Sequence, residues 1–91
     1  MDVTAWRIRW AEQRRILANL LTEEKGFENI GQSGYVEKYA KGPYQVWISV
    51  GNPDVWIRKG VDTVHNAEGV FSVHDSASGK QVQMYEFLAT I

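Results

Sequence analysis

Cysteine is absent from this chain. Disulfides, thiolate metal sites and cysteine nucleophiles are therefore excluded. Small secreted domains often depend on disulfide staples, so their absence points to a cytosolic protein. Long apolar runs are missing too. Nothing approaches the ~20 residues of a membrane helix, and the first residues lack the apolar core of a signal peptide. No membrane partner is expected. Excess charge of one sign is also lacking, with a net charge of -1 at pH 7. Histidine occurs only twice, which leaves little material for metal binding or acid–base chemistry.

What is present is an ordinary globular composition, 44% hydrophobic and 23% charged over 91 residues. That excludes a disordered chain and suits one domain, read as 1–91. A chain of this size buries about 60–65% of its unfolded surface, so each large apolar residue matters for stability. The charge is unevenly spread. Residues 5–18 carry Arg7, Arg9, Arg14 and Arg15 against Glu12 alone, a local +3, while residues 19–91 sum to -3.

A helix is expected from about residue 4 to 24, with Asp2 or Thr4 as N-cap. Val3, Trp6, Trp10, Leu17, Leu20 and Leu21 fall within one wedge of roughly 100°, with Gln13 inside it. Arg7 and Arg14 flank that wedge on one side, Arg9 lies beside Ile16 on the other, and Arg15 faces solvent. Gly26 reads as the C′ residue that ends the helix, with Phe27 folding back on its last turn. Residues 28–34 read as a loop.

From Tyr35 the period becomes two. Strands are expected over 35–40, 44–50, 55–58, 61–65, 70–74 and 80–88. The predicted fold is α+β: an N-terminal amphipathic helix packed on a bent antiparallel sheet of five or six strands. The strongest signal is the hairpin Val46–Val50, Gly51-Asn52-Pro53-Asp54, Val55–Arg58. Lys59-Gly60 reads as a kink or bulge.

Period two sorts the strands into faces. Tyr35, Tyr44, Val46, Ile48, Val50, Val55 and Ile57 form an apolar face under the helix. Val36, Lys38, Trp47, Ser49, Trp56 and Arg58 form the other. If Gly51–Asp54 closes the hairpin, Trp56 lies opposite Ser49, and Arg58 opposite Trp47, placed for a cation–π contact. In the second half, Val64, Phe71, Val73, Tyr85 and Phe87 share a face, and Val61, Thr63, His65, Val70, Ser72, His74, Val82 and Met84 share the opposite one. One helix cannot cover both faces of such a sheet. Either the sheet curls and the tryptophans form a second core layer, or an aromatic patch is left for a partner.

The candidate partner-binding residues are Trp47, Trp56, Arg58 and Lys38, with Arg7 and Arg14 on the helix. Aromatics beside cations suit a protein hot spot or base stacking. The arginines suit phosphates or an acidic protein; equally, their stems can cover apolar surface on a solvated helix flank. His65 and His74 are spaced about 13 Å apart along the predicted strands, too far to share a ligand. With Asp62, Glu68 and Asp75 they form no metal-ligand spacing. No nucleophile context or phosphate-cradling loop is found, so neither a catalytic site, a cofactor nor a metal is expected.

Leu20-Leu21, Gly26-Phe27 and Gln32-Ser33-Gly34-Tyr35 before a strand resemble the opening of small HicA-type RNA-cleaving toxins. The likeness covers about a third of the chain. It implies a helix on a sheet like that of double-stranded-RNA-binding domains. The family's catalytic histidine would fall near Tyr35 or Val36, and the expected C-terminal strand leaves no counterpart for its closing helix. Nuclease activity is therefore not implied.

The expectation is a non-enzymatic protein that binds another macromolecule stoichiometrically, most of all a protein. By analogy of size and composition it suits the inhibitors that phages and mobile elements carry against host defences, such as anti-CRISPR proteins, or toxin-immunity proteins. A nucleic-acid- or nucleotide-binding domain is the alternative. A small enzyme or a homo-oligomeric subunit, such as a homodimer, comes next.

Overall fold

The computed structural model describes residues 3–70 and 79–91, the side chains of residues 3–6 excepted. Helix α1 spans Val3–Asn19 and continues through a π turn over Leu20–Glu24. Thr4 thus lies inside the helix, and Asp2 lies outside the described residues. The π turn begins where Thr22 Oγ1 donates to the Ala18 carbonyl at 2.9 Å. That hydroxyl competes for an acceptor the α-helical ladder would use. The Lys25 N–H then reaches Leu20 O at 3.0 Å, and the Phe27 N–H reaches Leu21 O at 2.8 Å. Gly26, at φ 76°, makes that reversal cheap.

Five strands follow as an antiparallel meander in the order β1-β2-β3-β4-β5. They are β1 Glu28–Ser33, β2 Val36–Lys41, β3 Tyr44–Ser49, β4 Val55–Lys59 and β5 Asp62–Ala67. A second helix, α2, spans Lys80–Leu88. The N-terminal helix on an antiparallel sheet is the expected fold.

Two elements differ from expectation. The segment 28–34 forms an edge strand, not a loop. All six residues of β1 are exposed, so burial imposes no apolar alternation there. A bulge between Asn29 and Gly31 interrupts its pairing. Gly31 takes φ 102°, and its N–H donates to Asn29 Oδ1 at 2.8 Å. Such a kinked polar edge resists pairing with other chains.

Residues 80–88 are helical, not extended. Met84 and Leu88, four apart, are both buried, which is a helix period. Tyr85 and Phe87, expected to share a sheet face with Val64, instead project from α2. Phe87 stacks on His65 of β5 with centroids 5.1 Å apart. The strand expected over 70–74 lies mostly outside the described residues. Val70 itself is buried in a turn, its N–H 3.3 Å from Ala67 O. Lys59 is not part of a kink but ends β4, paired with Asp62, and Gly60 opens the β4–β5 turn; the irregularity of this ladder falls between Ile57 and Arg58, and β5 continues to Ala67.

The core lies between the helices and one sheet face. Trp10, Leu17 and Leu21 enter from α1 and its π turn, Met84 and Leu88 from α2, and Tyr39, Val46, Ile48, Val55, Ile57 and Ala67 from the sheet. The inward parity of β3 and β4 is observed, and so is the helix wedge over its described side chains. Tyr35 is the exception: it sits in the β1–β2 turn, 81% exposed. Trp10 Nε1 donates to Ser49 O at 3.2 Å and Arg14 donates to Val50 O at 2.6 Å. These contacts dock α1 on the end of β3.

Candidate functional site

The inward parity of β3 and β4 sends the intervening side chains to the opposite, outer face. Trp47 pairs directly with Trp56, Ile48 with Val55 and Gln45 with Arg58. The expected partners, Ser49 for Trp56 and Arg58 for Trp47, are thus displaced by two residues. Val50 joins the loop, and the Ser49 N–H to Asp54 O bond of 2.9 Å closes the hairpin. A shift of two preserves which face each side chain occupies. Ser49 is buried beside the helix contact rather than displayed with the tryptophans.

Trp47 sits at the middle of this face. Lys38 of β2 is directly opposite, its Nζ 4.3 Å from the indole centroid. Arg58 of β4 is diagonal, its Cζ 4.2 Å from the same ring. The cation–π contact therefore forms across a diagonal rather than a direct pair. Trp47 Nε1 donates to Gln45 Oε1 at 2.8 Å. Arg58 also donates to Val61 O at 2.7 Å. Trp56 Nε1 donates to Glu68 Oε1 at 3.3 Å, and Glu68 accepts from Asn66 Nδ2 at 3.3 Å. Each indole is thus fixed in orientation by its ring N–H.

Both tryptophans are half-buried, shielded by neighbours within the sheet. Val36, Trp47, Trp56, Arg58 and Thr63 line an open hollow of about 290 Å³. Both helices pack on the inner face, and neither tryptophan belongs to the core cluster. No second layer covers the outer face among the described residues.

The structure brings Trp47, Trp56, Lys38 and Arg58 together and places Arg7 and Arg14 elsewhere. Both arginines lie on α1, in the helix layer. Arg14 Nε is 3.6 Å from Glu37 Oε1, so this side chain ties α1 to β2. Tyr39 donates to Glu37 Oε2 at 3.2 Å, completing the inner network. Burial, then the Glu37 charge and hydrogen bond, push the Tyr39 phenol up to about 12. Burial raises Tyr85 as well. Gln45 and Glu68, which orient the indoles, are not among the residues expected at the site. Gln45 was legible as the i−2 neighbour of Trp47 on the same strand face. Glu68 required knowing that β5 pairs with β4.

Among the described residues no group of three or more His, Asp or Glu side chains is arranged to hold a metal ion. His65 faces α2, and His74 lies outside the described residues. No described helix is long and apolar enough to cross a membrane. The fold and the aromatic face define a small α+β protein whose outer sheet face is open among the described residues. Compared with models of protein families, with curated proteins and with solved structures, the chain matches none.

Proposed function

We propose that this chain is a non-enzymatic protein that binds another protein stoichiometrically through the outer face of its sheet. One observation carries the reading: Trp47 and Trp56 lie side by side on a face over which no described element packs. Tryptophan and arginine dominate the energetics of protein contacts. Here the rings are oriented before binding by Gln45 and Glu68, which lowers the ordering cost of association. The mechanism is occlusion: an aromatic centre with Lys38 and Arg58 at its edge covers a partner's working surface. Inhibitors from phages and mobile elements, and immunity proteins, are the classes that this size and surface suit by analogy.

Lys38 and Arg58 support a second reading, single-stranded nucleic acid stacked on the indoles. Neither cation forms an ion pair among the described residues. The two readings differ in salt response. Phosphate-driven binding weakens steeply between low and moderate salt, whereas an aromatic protein contact does not.

The test is affinity capture from the native host, followed by mass spectrometry, with wild type, Trp56→Ala and Arg58→Glu in parallel. One protein should be retained by wild type at moderate salt and lost by both variants. Both variants should remain folded at the temperature of capture, with thermal midpoints lowered by roughly 10 °C or less. Undiminished capture by both variants would sink the proposal.

A further inference from the structure

Lys38 and Arg58 approach Trp47 from the two strands that flank β3, with Nζ 4.3 Å and Cζ 4.2 Å from the ring centroid. Both side chains are half-buried. Cations drawn partly out of water are normally matched by an acid. Neither has one among the described residues. Arg58 gives one donor to the Val61 carbonyl, and Lys38 finds no hydrogen-bond acceptor among the described residues. Most of their donor capacity is therefore open.

The acids of the sheet stand elsewhere. Glu28 of edge strand β1 pairs with Ala40, two positions beyond Lys38 on β2. Glu68 follows β5, the other edge strand, and is held against Trp56 Nε1 and Asn66, while Lys80 binds its backbone carbonyl. Glu37 is engaged by Arg14 and Tyr39, Asp54 accepts from the Gly69 N–H, and Asp62 lies opposite Lys59. On the outer face, cations thus flank Trp47 and carboxylates mark the two sheet edges.

This pattern selects an occupant. Single-stranded nucleic acid would carry phosphates across the carboxylates at the edges. It would also need an open indole face, and those of Trp47 are taken by Lys38 and Arg58. A protein segment with carboxylates grouped about one apolar side chain meets neither obstacle. The hollow of about 290 Å³ takes the apolar group, with Arg58 in its lining. β2 and β4 are two strand spacings apart, ~9.6 Å. Two carboxylates, one on either side of the apolar residue, therefore serve the two cations.

We infer that the partner presents an acidic segment with a large apolar side chain at its centre. The apolar group sits in the hollow, and the flanking carboxylates meet Lys38 and Arg58. The inference rests on the outer face being the contact surface.

Short synthetic peptides test it, each with a central phenylalanine or leucine between pairs of acidic residues, of lysines or of glutamines. Binding to the full chain is read from the indole N–H resonances of Trp47 and Trp56 in heteronuclear NMR spectra, which also verify folding. An oligothymidylate is titrated alongside. Acidic peptides should shift both resonances at concentrations roughly tenfold below those the glutamine peptides require, and lysine peptides should leave them in place. Lys38→Glu and Arg58→Glu should each weaken acidic-peptide binding by about tenfold, and the double variant should bind the lysine peptides instead. Glutamine peptides that bind as tightly as acidic ones would overturn the inference and leave the contact face standing. Tighter binding of the oligothymidylate than of any peptide would overturn it in favour of nucleic acid. Acidic peptides that move neither indole would overturn it too, while capture by Trp56→Ala decides the contact reading separately.

Discussion

The two faces of the β3–β4 hairpin are built from alternate residues of the same strands, yet they do different things. The inner face, Val46, Ile48, Val55 and Ile57, is fully buried and free of polar side-chain atoms. It packs against Trp10, Leu17 and Leu21, and its stabilisation is apolar burial. The outer face carries larger rings but buries them only halfway, and it gives each indole N–H an oriented acceptor. Apolar bulk alone does not identify a core. The inner side chains are enclosed by other elements, whereas the outer ones are enclosed by their own sheet neighbours.

The comparison breaks most visibly at Ile57. Ile57→Ala should cost about 2–5 kcal/mol, because the cavity lies between sheet and helices. In a domain this small that is a large share of total stability, and it should appear as a large drop in the urea midpoint. Trp47→Ala should cost less despite removing a larger side chain, about 1–2 kcal/mol. It loses partial burial and two half-buried cation–π contacts. A loss of about 3–5 kcal/mol there would mark Trp47 as a core residue.

Alkaline pH separates the faces differently. Tyr39, on the inner face, has its folded pKa raised above the ordinary 10.0 to about 12. Its protonated form is favoured by folding, so its contribution is complete below pH 10 and is lost as pH rises from about 10 to 12. Urea midpoints across that range should fall for wild type and fall less for Tyr39→Phe. Tyr85, raised by burial, retains part of the slope. The smallest effect belongs to the outer cations. Lys38→Gln and Arg58→Gln should each change stability by about 0.5 kcal/mol, measured by denaturant titration. On the proposed function, either change should still impair partner capture.

Much of this contrast was legible in the sequence, for a physical reason. Alternation in Val46-Trp47-Ile48 and Val55-Trp56-Ile57 reports parity, and parity survives an error of two residues in the turn. Exact pairing does not, so Trp56 was expected opposite Ser49 and lies opposite Trp47. The helix wedge was legible because Trp10, Leu17 and Leu21 repeat at helical spacing. β1 was hidden because an exposed edge strand has no buried side to mark it. α2 reads as a strand in sequence because Val82 and Met84, then Tyr85 and Phe87, alternate over short stretches. The four-residue spacing of Met84 and Leu88 decides the helix, and only their shared burial exposes it. Residues 80–88 therefore form a helix where a strand is expected. Strand parity alone puts Lys38 and Arg58 on the same sheet face as the tryptophans. Charge alone does not place Arg7 and Arg14, which lie on α1.

The central claim is that the outer face is a contact surface and not a second core layer. Hydroxyl-radical footprinting of the folded protein addresses it directly, with Trp10, only 3% exposed, as an internal standard for a core tryptophan. A contact surface predicts that Trp47 and Trp56 oxidise much faster than Trp10 in the free protein and become protected when the captured partner is bound. Oxidation of Trp47 and Trp56 as slow as that of Trp10 in the free protein would contradict it.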